Sequence, residues 1–204
     1  MTTAGILRPV ALACDEEHAT PAIGHLSDEA LMQRYQTGDN RAFEILYQRY
    51  RGRLHRFVRR VTGASVEADE IFQDVWLAVI KGKSRYAPTA RFVTYLFTIA
   101  HNRAAEKLRR RGRSTIVELL EDDGSVADGE PDPLNVALNA ELGKALADAI
   151  ALLPVEQREA FLMQAEGGLS LDEIADACGA PRETVKSRLR YASRRLRRTL
   201  ESWK

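Results

Sequence analysis

The sequence predicts an all-α protein made of two small helical domains joined by a flexible acidic linker. Apolar residues recur at steps of three and four along most of the 204-residue chain, and this is the period of an amphipathic helix. Alternating β-branched runs bounded by turn residues, which would indicate strands, are missing. The stretch EDDGSVADGEPDP combines acids, glycine and proline without an apolar period, so it is expected to separate the two helical parts.

The first helical part is expected to fold as a compact bundle over residues 27–113. An amphipathic helix, capped at Asp39 or the next residue and ending at Gly63, is predicted in DNRAFEILYQRYRGRLHRFVRRVTG. A second helix, with Ser65 as its cap and Gly82 as its stop, is predicted in SVEADEIFQDVWLAVIKG. A third runs through ARFVTYLFTIAHNRAAEKLRRR, and a shorter helix precedes all three.

The second helical part, over residues 134–204, contains the pattern of a helix-turn-helix. The helical period resumes after the acidic stretch, and Pro154 is expected to start a further helix. Ser170 and Glu173 then have the S-x-x-E spacing of a capping box, in which each side chain satisfies a backbone N–H of the other residue. Gly179 follows at the position of the turn, where a side chain would be penalised.

The last helix is predicted to bury one face and to present a basic face to its surroundings. The residues expected to be buried follow each other at steps of four, three and four: Val185, Leu189, Ala192 and Leu196. The residues expected to point outward are Lys186, Arg190, Arg194 and Arg197. A solvated face would normally mix acids with these bases, and a membrane-surface helix would expose large apolar residues. The pattern therefore favours DNA, with the first half of the helix in the major groove.

Charge is segregated along the chain although the formal net charge is only +1. Residues 103–113 hold six basic residues against one acid, and residues 182–198 hold eight against one. Between them, residues 114–133 hold seven acids and no Lys or Arg. Two basic regions thus flank an acidic linker.

Composition excludes several other classes of protein. With 45% apolar and 29% charged residues the chain is expected to be globular, and charged residues interrupt every apolar run before the roughly 18 residues of a membrane span. No nucleophile-base set, metal-ligand spacing or phosphate-binding glycine loop is present, so an enzyme and a bound cofactor are not expected.

Residues 1–26 are expected to form a flexible N-terminal extension. The segment GILRPVALAC lacks a preceding basic stretch and is broken by Arg8 and Pro9, which argues against a secretion or lipidation signal and favours the cytoplasm. Cys14, His18 and His25 have no fourth partner, so no metal site is predicted.

Five sequence blocks, in order, carry a resemblance to a known family. They are YQRYRGRLHRFVRRVTG, ADEIFQDVWLAV, TYLFTIAHNRAAEKLRRRGR, LPVEQREAFLMQAEGGLSLDEIA and TVKSRLRYA. With them, residues 27–200 resemble the bacterial sigma-70 factors of the extracytoplasmic function (ECF) group. The resemblance implies that region 2 occupies residues 27–113 and region 4 residues 134–204. It further implies that the chain joins core RNA polymerase, directs it to promoters without a catalytic site of its own, and is restrained by an anti-sigma factor.

The resemblance also implies three sets of functional residues. Core polymerase would be contacted by Asp69, Glu70, Gln73, Asp74 and Trp76. The single-stranded −10 element would be bound by Tyr86, Tyr95, Phe97, Asn102, Glu106, Arg109 and Arg110. The duplex −35 element would be bound by Arg182, Thr184, Lys186, Ser187, Arg188, Arg190, Tyr191 and Arg194. Unpaired bases need aromatic stacking, polar contacts and basic residues along the backbone, and the second set offers all three.

The chain departs from the family pattern at a few of these positions. Tyr95 stands where the family commonly has tryptophan, and Glu106 where it often has aspartate or asparagine. Glu183 replaces a frequent glycine, and its carboxylate would repel phosphate unless it accepts a hydrogen bond from a cytosine amino group. The promoter sequence is therefore left open.

Two other functions remain open at this stage. An ordinary helix-turn-helix regulator with a sensing N-terminal domain would explain the basic C-terminal helix equally well, but not the ADEIFQDVW block followed by an aromatic and arginine-rich helix. A helical interaction protein that binds polymerase or another factor without DNA is the second alternative, against which salt-sensitive promoter binding would count.

Overall fold

The computed structural model of the chain describes residues 23–63, 65–111 and 133–201. These ranges contain helices and no strand, which confirms the all-α prediction for them. The helices are α1 (Asp28–Gln36), α2 (Asn40–Thr62), α3 (Ser65–Gly82), α4 (Phe92–Arg111), α5 (Pro133–Ala151), α6 (Val155–Ala165), α7 (Leu171–Cys178) and α8 (Arg182–Glu201). The predicted acidic linker lies outside the described residues, as does most of the predicted N-terminal extension.

Helices α1 to α4 form the N-terminal bundle. The side chain of Asp39 accepts a hydrogen bond from the N–H of Arg41, and Gly63 ends α2 in the left-handed conformation at φ 72°, so both predicted caps of α2 are confirmed. The core is apolar and includes the aromatic pair Phe57 and Phe97, whose ring centroids lie 5.2 Å apart. Burial of such large rings is the main stabilising contribution to a bundle of this size.

Folded structure begins before residue 27, where the sequence placed the end of the extension. Ile23–His25 form a short 3-10 turn ahead of α1. Arg49 on α2 donates hydrogen bonds to the carbonyl oxygens of Gly24 at 2.6 Å and Leu26 at 3.0 Å. A guanidinium supplies several donors in a fixed fork, so one side chain can hold the whole turn against the bundle.

Helices α5 to α8 form the C-terminal domain, which contains the predicted helix-turn-helix. Ser170 and Glu173 form the capping box at the start of α7, and Gly179 ends α7 at φ 59°, a conformation that favours glycine. The four residues of α8 predicted to be buried are buried: Val185, Leu189, Ala192 and Leu196. None of the described helices is both long and apolar enough to cross a membrane.

The two domains are packed against each other in this structure, which the sequence did not predict. Helix α6 contacts α2, and α7 contacts α4. The turn Glu166 to Gly168 between α6 and α7 lies against the bundle, and a Cβ built on Gly167 would come within 3.3 Å of the ring of Phe97. Helix α4 is therefore covered by the C-terminal domain on one side.

Candidate nucleic-acid and polymerase interfaces

A cleft of about 430 Å³ lies on the side of the bundle formed by α3, α4 and the turn between them. It is lined by four of the residues predicted to bind the −10 element, namely Tyr86, Tyr95, Asn102 and Glu106, together with Ala78, Gly82, Arg85, Ile99 and Arg103. The α4 members follow each other at steps of three and four, so they share one face of the helix. The structure thus brings the core of the predicted site together.

Two tyrosines form the aromatic wall of the cleft. The ring centroids of Tyr86 and Tyr95 lie 5.4 Å apart at 65°. Tyr95 approaches the main chain so closely that a Cβ on Gly82 would lie 2.9 Å from its hydroxyl oxygen. Burial raises the pKa of Tyr86 to about 12 and also raises that of Tyr95, so both phenols stay neutral near pH 7. Among the described residues, the buried hydroxyl of Tyr86 has no hydrogen-bond partner.

The other end of the cleft is polar and charged. Asn102 is exposed. Glu106 accepts a hydrogen bond from Arg110 at 2.6 Å and lies 3.6 Å from Arg103. A carboxylate has about four acceptor sites, so Glu106 can accept further hydrogen bonds from a ligand while these arginines neutralise its charge. Arg109 is exposed beyond the cleft, on the same helix.

Phe97 does not belong to this cleft, and its predicted role in base stacking is not supported by its position. It lies two positions after Tyr95, which corresponds to a rotation of about 200° around an α-helix. Phe97 is fully buried between Phe57 and the turn at Gly167. The sequence reasoning in turn missed Arg85 and Arg103, which line the cleft and carry positive charge.

The acidic block on α3 forms an exposed surface. Asp69, Glu70, Gln73 and Asp74 are exposed, as predicted for polymerase contacts. Asp69 lies 3.0 Å from His55, and Glu70 accepts a hydrogen bond of 2.7 Å from Lys107. The same helix exposes three large apolar side chains that sequence reasoning missed, namely Val66, Leu77 and Ile80. In the sequence these three residues fall outside the helical stripe formed by the buried residues Ala68, Ile71, Val75 and Val79, and this was the signal that could have found them.

Trp76 was predicted to contact polymerase with this block, but it is only 5% exposed. Its ring packs against Tyr47 at 5.0 Å and edge-on against Phe43 at 5.7 Å between centroids. A side chain in that position stabilises the contact between α2 and α3 and offers little surface to a partner. Trp76 is therefore removed from the candidate interface.

Helix α8 presents most of its predicted DNA-binding residues to solvent. Those exposed are Arg182, Thr184, Lys186, Arg190, Tyr191 and Arg194. The guanidinium of Arg190 lies 5.2 Å from the ring centroid of Tyr191, and Lys186 pairs with Glu183 at 3.3 Å. A second cleft of about 380 Å³ lies further along the helix and is lined by Gln157, Tyr191, Arg194, Arg195 and Arg198.

Two members of the predicted −35 set are only half exposed. Ser187 and Arg188 are of intermediate burial. Burial lowers the pKa of His101 on α4, and the positive charge of Arg188 lowers it further, so Arg188 lies towards the N-terminal bundle. In this arrangement Arg188 faces the domain boundary rather than the exposed face of α8.

Comparison with known proteins identifies the family. The model of Sigma-70 region 2 matches residues 46–114, and that of Sigma-70, region 4 matches residues 143–196. The RNA polymerase sigma factor CarQ of Myxococcus xanthus is 30% identical over 169 residues, which cover 83% of this chain and 95% of CarQ. The ECF RNA polymerase sigma factor SigM of Mycobacterium tuberculosis is 32% identical over 185 residues, 88% of this chain and 90% of SigM. The chain belongs to the ECF sigma factors.

Two solved structures share the fold. The sigma factor RpoE in complex with the anti-sigma factor NepR from Bartonella quintana has a TM-score of 0.64 at 22% identity, and the match covers 78% of this chain and 96% of RpoE. CnrH in complex with the cytosolic domain of CnrY has a TM-score of 0.62 at 23% identity, covering 86% of this chain and 97% of CnrH. The residues matched by the two family models place region 2 in the bundle α1 to α4 and region 4 in the domain α5 to α8.

Proposed function

We propose that this sigma factor binds core RNA polymerase and directs it to promoters by reading a −35 element with α8 and holding an unpaired base of the −10 element in the cleft on α4. The observation that carries the proposal is the cleft itself, because it combines an aromatic wall with hydrogen-bonding and charged groups. The polymerase supplies the chemistry of RNA synthesis, and this chain supplies binding and DNA opening.

The cleft is suited to a base taken out of its stack. Unstacking costs a few kcal/mol, which contacts to the extruded base must offset. The half-buried ring of Tyr95 provides stacking surface. Tyr86 is only 8% exposed and its hydroxyl is buried, so its predicted contact with a base is not supported and it instead packs against Tyr95. Asn102 and Glu106 lie one helical turn apart beside them, so both can contact the polar edge of that base. Arg85, Arg109 and Arg110 supply positive charge for the phosphates.

Helix α8 is suited to duplex DNA. Thr184, Lys186 and Arg190 are exposed in its first half, where the recognition helix of a helix-turn-helix meets base edges. Arg182 and Arg194 lie on either side and are proposed to contact phosphates, which fix the register of the helix on DNA. Because Glu183 pairs with Arg182 and Lys186, its negative charge is partly neutralised before DNA arrives.

The exposed surface of α3 is proposed to dock on core polymerase. Glu70, Gln73 and Asp74 lie beside exposed Leu77 and Ile80, so the surface offers both charge and apolar area. A patch of this kind is typical of a protein interface. We further propose control by an anti-sigma factor and action in the cytoplasm with the polymerase. The sigma factor RpoE, which has a similar fold, is seen in a complex with the anti-sigma factor NepR.

The first test is whether the full chain co-elutes with bacterial core RNA polymerase on a size-exclusion column without DNA. Co-elution, followed by promoter-specific run-off transcription from the complex, is the expected result. The variant Asp74→Arg should weaken co-elution. The matched charge change Asp176→Arg, at an exposed position of α7, should leave co-elution unchanged. Clean separation of the wild-type protein from active core would contradict the proposal and favour an ordinary DNA-binding regulator.

A further inference from the structure

Helix α1 is bonded to the turn that forms one wall of the −10 cleft. Gln36, the last residue of α1, donates hydrogen bonds from its Nε2 to the main-chain carbonyl oxygens of Lys83 at 2.7 Å and Tyr86 at 2.8 Å. These carbonyls belong to the first residue of the 3-10 turn Lys83–Arg85 and to the residue that follows it. A primary amide has two N–H donors, so one side chain holds both ends of the turn.

The hydrogen bond within the turn is longer than the two bonds from Gln36. The N–H of Tyr86 donates to the carbonyl of Lys83 at 3.3 Å, and the geometry of such bonds is poorer in a 3-10 turn than in an α-helix. A further contact with α1 comes from the Nζ of Lys83, which lies 4.8 Å from the ring centroid of Tyr35. The position of the turn therefore depends on α1.

The same helix also holds the start of α4, which forms the opposite wall of the cleft. The carboxylate of Glu29 accepts a hydrogen bond of 2.9 Å from the N–H of Phe92, the first residue of α4. The first four N–H groups of an α-helix have no partner within the helix, so a carboxylate placed there stabilises this start. Tyr95, which lines the cleft, follows three residues later. Helix α1 is thus bonded to both walls of the cleft.

The two walls approach each other closely. Gly82, directly before the turn, packs so near Tyr95 that a Cβ on it would lie 2.9 Å from the phenolic oxygen. Arg85 lines the cleft from the turn, whereas Asn102 and Glu106 line it from α4. A displacement of the turn by about 1 Å would change the width of the cleft, and misplacement of that size strongly weakens groups that must meet a ligand together.

Helix α1 acts on the cleft from outside it. None of its residues, all of which the structure describes, is among those that line the cleft. It also lies before residues 46–114, the range matched by the region 2 model, so that match assigns it no role.

We infer that Gln36 is a positioning residue for recognition of the −10 element. By holding the carbonyls of Lys83 and Tyr86, it sets the width of the cleft and thereby the selectivity for the extruded base. The inference rests on the proposed function, because it takes the cleft to be the site of that base.

The affinity of the holoenzyme for single-stranded −10 oligonucleotides tests the inference. The oligonucleotides come from a promoter that the holoenzyme transcribes, with each of the four bases placed in turn at the extruded position. Gln36→Leu removes both donors without adding charge, so its affinity for the preferred oligonucleotide should fall about tenfold. Its four affinities should also lie closer together than those of the wild type. Loss of folded protein would lower all four by the same factor, so the change in selectivity separates positioning from stability.

Two further variants provide a rescue and a matched control. Gln36→Lys keeps a group that can donate to both carbonyls and should recover selectivity that Gln36→Leu loses. Gln33→Leu removes an exposed amide from the same helix and should change neither affinity nor selectivity. Circular dichroism and co-elution with core polymerase should be unchanged in all three variants.

The outcomes distinguish this inference from the proposed function. The inference alone is overturned if the wild type selects among the four bases and Gln36→Leu selects equally well, or if Gln36→Lys recovers nothing. It is also overturned if the wild type binds all four oligonucleotides alike. If the wild-type holoenzyme binds none of them, the proposed function has failed, and the role of Gln36 fails with it.

Discussion

The carboxylate of Glu173 on α7 accepts a hydrogen bond of 2.5 Å from the hydroxyl of Thr94 on α4. The same carboxylate completes the capping box by accepting from the N–H of Ser170 at 2.8 Å. Burial alone would raise the pKa of Glu173, but these hydrogen bonds and the charge of Arg91 outweigh burial and hold the pKa below its usual value. One residue thus starts the helix-turn-helix and joins it to region 2.

Three substitutions should separate these two roles of Glu173. Ser170→Ala removes only the cap and should lower the free energy of unfolding by about 1 kcal/mol. Thr94→Val removes only the interdomain hydrogen bond and should cost about 1 kcal/mol. Glu173→Ala loses both and should cost about 2 kcal/mol or more, measured by urea unfolding followed by circular dichroism. A cost for Glu173→Ala no larger than that of Ser170→Ala would show that the contact with Thr94 adds nothing.

Local spacing was enough to predict the capping box of α7 and the buried face of α8. The capping box depends on residues three positions apart, and the buried stripe from Val185 to Leu196 depends only on the helical period. The −10 residues were implied by the family resemblance, and the structure shows that Tyr95, Asn102 and Glu106 share the face of α4 on which the cleft is built. These features follow from contacts within a single element.

Other features depend on which face meets a distant part of the chain, and the sequence could not show this. Helical spacing does not distinguish a stacking platform from a core residue, so Phe97 and Trp76 were placed at surfaces although both are buried. The contact of Arg56 with Glu166 joins residues 110 positions apart. Nothing in the local pattern marks Glu166 as the partner of Arg53, Arg56 and Arg60 on α2.

The buried carboxyl group of Glu159 on α6 predicts a dependence of stability on pH. Burial, followed by the nearby charge of Glu156, raises its pKa from the ordinary value of 4.5 to about 7. The folded state therefore binds the proton of Glu159 more tightly than the unfolded state. The corresponding stability is present below about pH 4.5 and is lost as the pH rises through about 7.

Glu159→Gln should remove this dependence while keeping the shape of the side chain. At pH 8 the variant should be more stable than the wild type by up to about 3 kcal/mol, and the difference should vanish at pH 4.5. The titration of His101 is coupled to that of Glu159, because its Nδ1 lies 3.5 Å from the carboxyl group, so the same comparison is repeated in a His101→Gln background. Parallel unfolding curves at both pH values would contradict the assignment.

Recognition of the −35 element should depend on the exposed basic side chains of α8. Replacing Lys186 and Arg190 with alanine should weaken binding to a specific promoter by about 1–3 kcal/mol for each lost base contact. Binding to core polymerase should be unchanged. Lys144→Ala removes one positive charge from the exposed side of α5 and serves as the control for each single replacement. Electrophoretic mobility shifts with the holoenzyme at fixed salt measure the promoter affinity of the double variant and of the control. Unchanged promoter affinity in the double variant would remove α8 from the proposed interface.

Strand opening should depend on the polar end of the cleft. Asn102→Ala and Glu106→Gln remove groups proposed to contact an unpaired base, and this contact exists only after the DNA has opened. Both variants should therefore reduce open complexes about tenfold, while the affinity of the holoenzyme for duplex DNA changes by less than about twofold. Gln48→Ala removes an exposed amide from α2, outside the cleft, and should have no effect.

Permanganate reactivity of thymines in the −10 element reports opening directly. Normal reactivity in the Asn102 and Glu106 variants would mean that the base is held elsewhere, whereas a loss of duplex binding equal to the loss of opening would mean that the cleft contacts paired DNA.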